Sequence, residues 1–250
     1  MNTDTQVVIL AAGKGTRMGG DIPKALTKLN AIPMINYAVD TSSSFSKNQP
    51  IVVVGYKGEM IEKHLDDTCL YVEQKEQKGT GHALMATKKL LEESNADTVI
   101  VLYADQPYIS KKTLEILTDT KHSSDTKIVI ATTVIEDDEL FENQFYNFGR
   151  IIRDNNGVIT KIVEKKDATK AELLVREVNP AYFCLDKKWA LRSLARVNND
   201  NAQGEYYLTD LVQMAFDEGL IIKSVQIDAK EALGANTREQ LAVLESFLNK

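Results

Sequence analysis

Apolar positions along the chain fall into two alternating kinds of stretch. Short continuous runs, Val7–Leu10, Ile51–Val54 and Thr98–Leu102, read as strands buried on both faces. Between them, apolar residues recur at helical spacing. They fall at 34, 35, 38 and 39 within Ile32–Phe45, in a shorter pattern over Glu59–Leu65, and at Ala83, Leu84, Leu90 and Leu91 after Gly79-Thr80-Gly81. A brief strand around Leu70–Val72, a helix over about Thr113–Thr118 and a strand over Lys127–Val134 continue the alternation. This order predicts an α/β fold, a mostly parallel sheet with helices on both faces.

The pattern changes near residue 145. Gly149–Arg153 and Val158–Val163 read as a hairpin around Asn155-Asn156-Gly157. Val178–Leu185 reads as a strand interrupted by Pro180. Trp189, Leu191, Leu194 and Val197 mark one helix. Leu208, Leu211, Val212, Ala215 and Phe216 mark a strongly amphipathic second one, stopped by Gly219. A late strand, Ile221–Ile227, and a terminal helix carrying Leu241, Leu244 and Leu248 complete the pattern. With no repeat, low-complexity tract or linker, residues 1–250 are expected to form a single domain, its mixed second half laid against a Rossmann-like sheet.

Composition then narrows the class. A share of 43% hydrophobic and 26% charged residues is ordinary for a globular chain. The formal charge of −6 gives no global field for nucleic acid. Cys69 and Cys184 lie far apart with no CxxC, which argues against a disulfide framework or zinc site and fits a reducing compartment. No signal pattern and no membrane-length apolar run is present, so a cytoplasmic protein without membrane contact is expected.

Against that acidic whole, the stretch Leu10–Lys24 stands out. It holds Gly13, Gly15, Gly19 and Gly20, with the cations Lys14, Arg17 and Lys24 against one carboxylate, Asp21. Bare backbone N–H groups and mobile cations are chemistry for phosphates. The loop is not a P-loop, because no GxxxxGK is followed by Ser or Thr. A Rossmann fingerprint needs glycine where Met18 stands and an acid after Val54, where Gly55-Tyr56 follow, so a dehydrogenase is disfavoured. An Asp-x-Asp metal site is disfavoured too, since Gln106-Pro107 follow Asp105. Loop and Asp105 both follow parallel strands, whose carboxyl ends share one edge, so they are expected to face one crevice.

These residues also carry a family resemblance. LAAGKGTRM with a downstream Pro23-Lys24 resembles the signature of the sugar-1-phosphate nucleotidyltransferases. EQKGTGHA, YADQP, FGRIIRDNNGVITKIVEKKDAT, EVN, NAQGEYYLTD and GANTREQLA extend the match over nearly the whole chain. Together they are similar to the uridylyltransferase domain of the bacterial N-acetylglucosamine-1-phosphate uridylyltransferases. The resemblance implies a nucleotide-diphospho-sugar transferase fold, with about 1–140 binding nucleotide and 141–250 binding sugar. It implies a Mg²⁺-dependent reaction of UTP with N-acetylglucosamine 1-phosphate, giving UDP-N-acetylglucosamine and pyrophosphate for cell-envelope sugars such as those of peptidoglycan and lipopolysaccharide.

The same resemblance distributes roles. Arg17 and Lys14 would lie near the departing pyrophosphate and Lys24 near the phosphates being joined, while Asp105 and Asn236 would hold Mg²⁺. The backbone of Leu10, Ala11, Ala12 and Gly13, with Gln74, Gly79 and Thr80, would read the base. Tyr103 and Ala104 would line the substrate site beside Asp105, and Gly149, Glu164, Asn179, Tyr207 and Thr209 would bind the sugar. Several of these residues also have plain structural readings. Asp105 suits a turn, Asn236 precedes the capping-box spacing Thr237–Gln240, Thr80 suits a helix cap, Tyr207 suits the core, and His82 reads as helix packing.

The match departs from the family pattern in places. Asn179 is followed by Pro180-Ala181 where the family has Thr-Gly, and Ala104 stands where it has Gly. Proline offers no N–H and holds Asn179 extended. Transfer to a different sugar 1-phosphate therefore stays an alternative. A non-catalytic nucleotide-sugar-binding regulatory domain is another, opposed by the joint presence of Lys14, Arg17, Lys24, Asp105 and Asn236. The hexapeptide-repeat acetyltransferase domain of the family has no counterpart within 1–250, which leaves open an excised domain, a one-domain enzyme and the oligomeric state.

Overall fold

The computed structural model describes residues 4–15, 18 and 21–248. In chain order its strands are β1 (Thr5–Leu10), β2 (Lys28–Leu29), β3 (Ile32–Pro33), β4 (Ile51–Val54), β5 (Leu70–Glu73), β6 (Thr98–Tyr103), β7 (Ile128–Val134), β8 (Gly149–Arg153), β9 (Ile159–Val163), β10 (Glu177–Asn179), β11 (Phe183–Asp186) and β12 (Ile222–Gln226). The helices are α1 (Met34–Phe45), α2 (Gly58–Leu65), α3 (Thr80–Ala86), α4 (Lys88–Glu93), α5 (Lys111–Ser124), α6 (Asp138–Leu140), α7 (Lys187–Leu194), α8 (Asp210–Asp217), α9 (Ala229–Ala232) and α10 (Arg238–Leu248).

Among the described residues, ten strands form one sheet in the order β5-β4-β1-β6-β11-β7-β10-β8-β9, with β12 paired to β7. Following the pairings, β1, β4, β5, β6, β7, β8 and β12 run one way and β9, β10 and β11 the other. The sheet is mixed and mostly of one direction, as the sequence pattern predicts.

The apolar runs of β1, β4 and β6 are continuous because both sheet faces are covered. Successive strand side chains point to opposite faces. Val7, Ile9, Val52, Val54, Ile100 and Leu102 join Ile35 and Ala38 of α1 and Leu114 and Leu117 of α5 in one core. Val8, Leu10, Ile51, Val53, Val99 and Val101 join Ala83 and Leu84 of α3, Trp189 of α7 and Leu211 and Val212 of α8 in a second. Each such buried Val, Leu or Ile side chain contributes roughly 1.5–3 kcal/mol. No described helix is long and apolar enough to cross a membrane.

Several boundaries differ from the pattern for local reasons. The helix after Gly79 divides into α3 and α4 at Thr87, whose Oγ1 donates to the Leu84 carbonyl at 2.7 Å. The helix expected over 113–118 runs the length of α5, because the Ser110 hydroxyl caps it by accepting from the Thr113 N–H at 3.2 Å. The strand around Val178 divides into β10 and β11 at Pro180 and Ala181, and Ala181 takes φ +68°. The β2–β3 hairpin and a π-helical turn over Phe141–Phe145 carry no apolar period of their own.

The hairpin turn gives the first prediction. Asn30 and Ala31 connect β2 and β3 with φ of 51° and 69°, both exposed; asparagine enters that region readily, whereas alanine is strained there and glycine is not. Ala31→Gly is therefore expected to stabilise the protein by about 0.5–1 kcal/mol. Urea unfolding would report it as a raised midpoint at unchanged slope, and a lowered midpoint would refute it.

Candidate active site

The register of the central strands brings the site together. Leu10 lies opposite Tyr103, and the Ala104 N–H donates to the Leu10 carbonyl at 3.1 Å. The loop after β1 and the turn after β6 thus leave the sheet side by side at the carboxyl edge. There they line a cleft of about 440 Å³. Of the residues singled out from the sequence, Leu10, Ala11, Ala12, Gly13, Lys24, Gln74, Gly79, Thr80, Tyr103, Ala104, Asp105, Gly149, Glu164, Asn179, Tyr207, Thr209 and Asn236 all line it. Lys14 does not. It is exposed, with Nζ 5.2 Å from the centroid of the Tyr56 ring. Arg17 lies outside the described residues.

One ammonium group links three of these stretches. Lys24 Nζ donates to the Asp105 carboxylate and, at 2.8 Å, to Asn236 Oδ1. The Lys24 and Asp105 side chains are only 16% and 14% exposed. Asn236 is carried there by its neighbours: the Ala235 N–H donates to the Asp105 carbonyl at 3.1 Å, and the Asn236 N–H to Gln240 Oε1 at 2.8 Å. Gln240 N–H in turn donates to Thr237 Oγ1 at 3.3 Å, so the capping-box spacing is realised and holds Asn236 at the same time. Two oxygens, one anionic and one neutral, converge on a single positive charge. That donor set fits Mg²⁺, which takes few protein oxygens and keeps phosphate and water as further ligands.

On one wall the Gln74 carboxamide is buried, its Nε2 donating to the Gly79 carbonyl at 3.0 Å and lying 3.0 Å from His82 Nδ1. Gly79 has φ +104°, and a Cβ there would meet the Tyr206 carbonyl oxygen at 2.6 Å, so glycine is required. The segment is laced to residues 206–208. Tyr206 N–H donates to the Lys78 carbonyl at 2.8 Å, Gly81 N–H to the Tyr206 carbonyl at 2.8 Å, and Leu208 N–H to Thr80 Oγ1 at 3.1 Å. Thr80 therefore serves a distant strand of chain rather than its own helix.

Elsewhere in the cleft lie the residues expected to bind the sugar. Thr209 Oγ1 donates to Glu164 Oε1 at 3.1 Å, and burial raises the Glu164 carboxyl above its usual range. Tyr207 O–H donates to Asp167 Oδ2 at 3.2 Å and accepts from Gln203 Nε2 at 2.8 Å, and burial pushes its phenol up to about 12. Asn179 Oδ1 accepts from the Ala181 N–H at 2.9 Å. Ala104 lies outside the left-handed region and packs into the core, so this position needs no glycine here.

The sequence pattern did not mark Gln77, Gln106, Asn147, Phe148, Gln203 and Glu205, which also line the cleft. Gln106 Nε2 donates to the carbonyls of Pro180 at 2.9 Å and Ala232 at 3.2 Å, joining the turn between β10 and β11 to the segment before Asn236. Its only sequence signal is its place in YADQP, directly after Asp105.

Comparison with known proteins bears on family and fold. The sequence model of the MobA-like NTP transferase domain matches residues 7–210. The chain is 39% identical over 242 residues to the bifunctional protein GlmU of Clostridium novyi, covering 96% of this chain and 51% of that protein. It is 36% identical over 244 residues to GlmU of Listeria monocytogenes serotype 4a, covering 97% and 52%. The chain thus spans about half the length of the curated relatives it matches. A crystal structure of UDP-glucose pyrophosphorylase complexed with UDP-glucose superposes with a TM-score of 0.76 at 20% identity, covering 100% of this chain and 99% of that one, which is a likeness of fold.

Asp210, the residue after Thr209, yields a pH prediction. Burial, with the Asp167 carboxylate nearby, pushes the Asp210 carboxyl up to about 6, against about 3.9 in an open chain. The folded state therefore holds this proton more tightly. That contribution is full below about pH 4 and is lost as pH rises through about 6. Asp210→Asn, which cannot ionise, is expected to gain stability relative to the parent protein between pH 4 and pH 8. Urea midpoints at both pH values test this, and a difference that does not change with pH would refute it.

Proposed function

The chain belongs to the MobA-like NTP transferase family, and we propose that it transfers a uridylyl group from UTP to N-acetylglucosamine 1-phosphate, releasing pyrophosphate. A phosphate oxygen of the sugar phosphate attacks the α-phosphorus of UTP in line. The new P–O bond forms as the bond to the β-phosphate breaks, and its electron pair leaves with pyrophosphate. Such a transfer needs alignment and charge neutralisation, not a protein nucleophile.

The observation that carries this reading is the Lys24 ammonium held between Asp105 and Asn236 inside one cleft. It supplies a cation for the phosphates being joined, while Lys14 and Arg17 on the same loop serve the departing pyrophosphate. Mg²⁺, when bound, would be held by Asp105 and Asn236 and supplies further charge neutralisation at the phosphates. Gln74, Gly79, Thr80 and the backbone of Leu10, Ala11, Ala12 and Gly13 bind the uracil. Glu164, Asn179, Tyr207, Thr209 and the space beside Gly149 bind the sugar, its hydroxyls and its acetamido group. Residues 1–250 act in this reading as one catalytic unit of the cytoplasm, feeding the synthesis of cell-envelope sugars.

A second reading keeps the chemistry and changes the sugar. Pro180 has no N–H and the Ala181 N–H is engaged by Asn179, so this wall offers fewer backbone donors, which favours another sugar 1-phosphate.

Pyrophosphate release across a panel of nucleoside triphosphates and sugar 1-phosphates, with and without EDTA, tests both. UTP with N-acetylglucosamine 1-phosphate is expected to give the highest rate, abolished by EDTA. Release only with another sugar phosphate would select the second reading, and no release with any pair would defeat both. Asp105→Ala is expected to lower turnover by about 10²–10³-fold with its far-UV circular dichroism unchanged.

A further inference from the structure

The base-side wall contains a carboxamide whose orientation is decided by the groups behind it. Gln74 is 4% exposed, and its Nε2 lies 3.0 Å from the Gly79 carbonyl oxygen and 3.0 Å from His82 Nδ1. A carbonyl oxygen only accepts, so the nitrogen end of the amide must face Gly79. The reverse orientation would set two acceptors against each other. With one amide hydrogen on Gly79, the second points at His82 Nδ1, which accepts it. The imidazole is then neutral, with its proton on Nε2. Both hydrogens of the carboxamide are consumed, and what Gln74 offers a ligand is Oε1, an acceptor only.

His82 is itself held in place. It sits in the first turns of α3, and its ring tilts at 32° against the Tyr206 ring with centroids 6.1 Å apart. Tyr206 is pinned by backbone bonds of 2.8 Å to Lys78 and to Gly81, the residue preceding His82.

We propose that His82 is a positioning residue for base choice. The Gly79 carbonyl takes one amide hydrogen of Gln74 and His82 accepts the second, and together they leave Gln74 only Oε1 to offer, a reader of donors. The cleft then selects nucleoside triphosphates whose pyrimidine carries an N3–H, uracil or thymine, over cytosine, whose N3 is an acceptor. Cytosine would place acceptor against acceptor, and turning the amide would set its oxygen against the Gly79 carbonyl and require the His82 proton to move to Nδ1. The proposal rests on the uridylyl-transfer reading above, which puts Gln74 on the base side.

The test is direct binding of UTP, TTP and CTP by titration calorimetry, so that it does not depend on turnover. His82→Phe keeps a ring against Tyr206 and deletes the acceptor, and His82→Asn returns an acceptor oxygen in the place of Nδ1. The parent protein is expected to bind UTP and TTP at least about tenfold more tightly than CTP. His82→Phe should reduce the UTP-to-CTP ratio by about tenfold, and His82→Asn should bring it back to within about threefold of the parent. An unchanged ratio in a folded His82→Phe, equal loss for all three nucleotides, or a parent protein that binds CTP as well as UTP would overturn it. Absence of pyrophosphate release from UTP would defeat the reaction proposed above while leaving this ratio to be measured.

Discussion

A single ammonium group ties together parts of the chain that are distant in sequence. Lys24 reaches the Asp105 carboxylate from one side and Asn236 from the other, and both charged side chains are largely withdrawn from water. Removing one partner of such a pair would leave the other charge buried without compensation, a loss of several kcal/mol for fully buried pairs. That penalty acts as a restraint on everything attached. The glycine-rich loop must return to the end of β6, and the residues before α10 must fold over the same point. The restraint is short because β1 and β6 are paired in register up to Leu10 and Tyr103. The sheet delivers both ends, and Lys24 fastens them.

A second set of bonds joins the segment around Gly79 to residues 206–208. Lys78, Thr80 and Gly81 are bonded to residues 206–208, and the approach is so close that a methyl on Gly79 would collide with the Tyr206 carbonyl. Tyr207 and Thr209 follow immediately on that segment. Displacing the loop around Gly79 would therefore also move the hydroxyls that engage Asp167 and Glu164. These two segments are positioned by each other, not independently by the sheet.

The parts of this arrangement legible in the sequence are those set by burial on regular elements. The runs in β1, β4 and β6 are unbroken because helices cover both faces, and parallel strands that share an edge bring the loop and Asp105 into one crevice. Other features carry no such periodic mark. Nothing in the loop's composition separates Lys24, which turns into the cleft, from Lys14, which lies over Tyr56. The break at Thr87 depends on one hydroxyl turning back to the preceding turn, and the full length of α5 depends on a serine cap and a polar outer face. Gln106 and Gln203 line the cleft through carboxamide bonds that no spacing announces. His82 reads as helix packing, and its ring does pack on Tyr206. Its second role depends on a bond to Gln74 across a turn that only the fold supplies.

Pro180 and Ala181 show how a departure from the family pattern can be absorbed. Ala181 occupies left-handed backbone where the pattern has glycine, a conformation that costs an L-residue about 1–2 kcal/mol. Two side-chain bonds offset it: Asn179 Oδ1 takes the Ala181 N–H, and Gln106 Nε2 takes the Pro180 carbonyl. The first of these also fixes the Asn179 amide. Its oxygen faces a donor in the backbone, so the end left for a ligand is Nδ2, a donor. These two carboxamides are thus oriented in opposite senses, Gln74 with its acceptor outward and Asn179 with its donor outward. Under the proposed reaction, the base must bring a donor to Gln74 and the sugar an acceptor to Asn179. A uracil N3–H and an acetamido carbonyl meet those two demands, so the substituted wall stays compatible with an N-acetylated sugar while making its recognition depend on side chains in place of backbone.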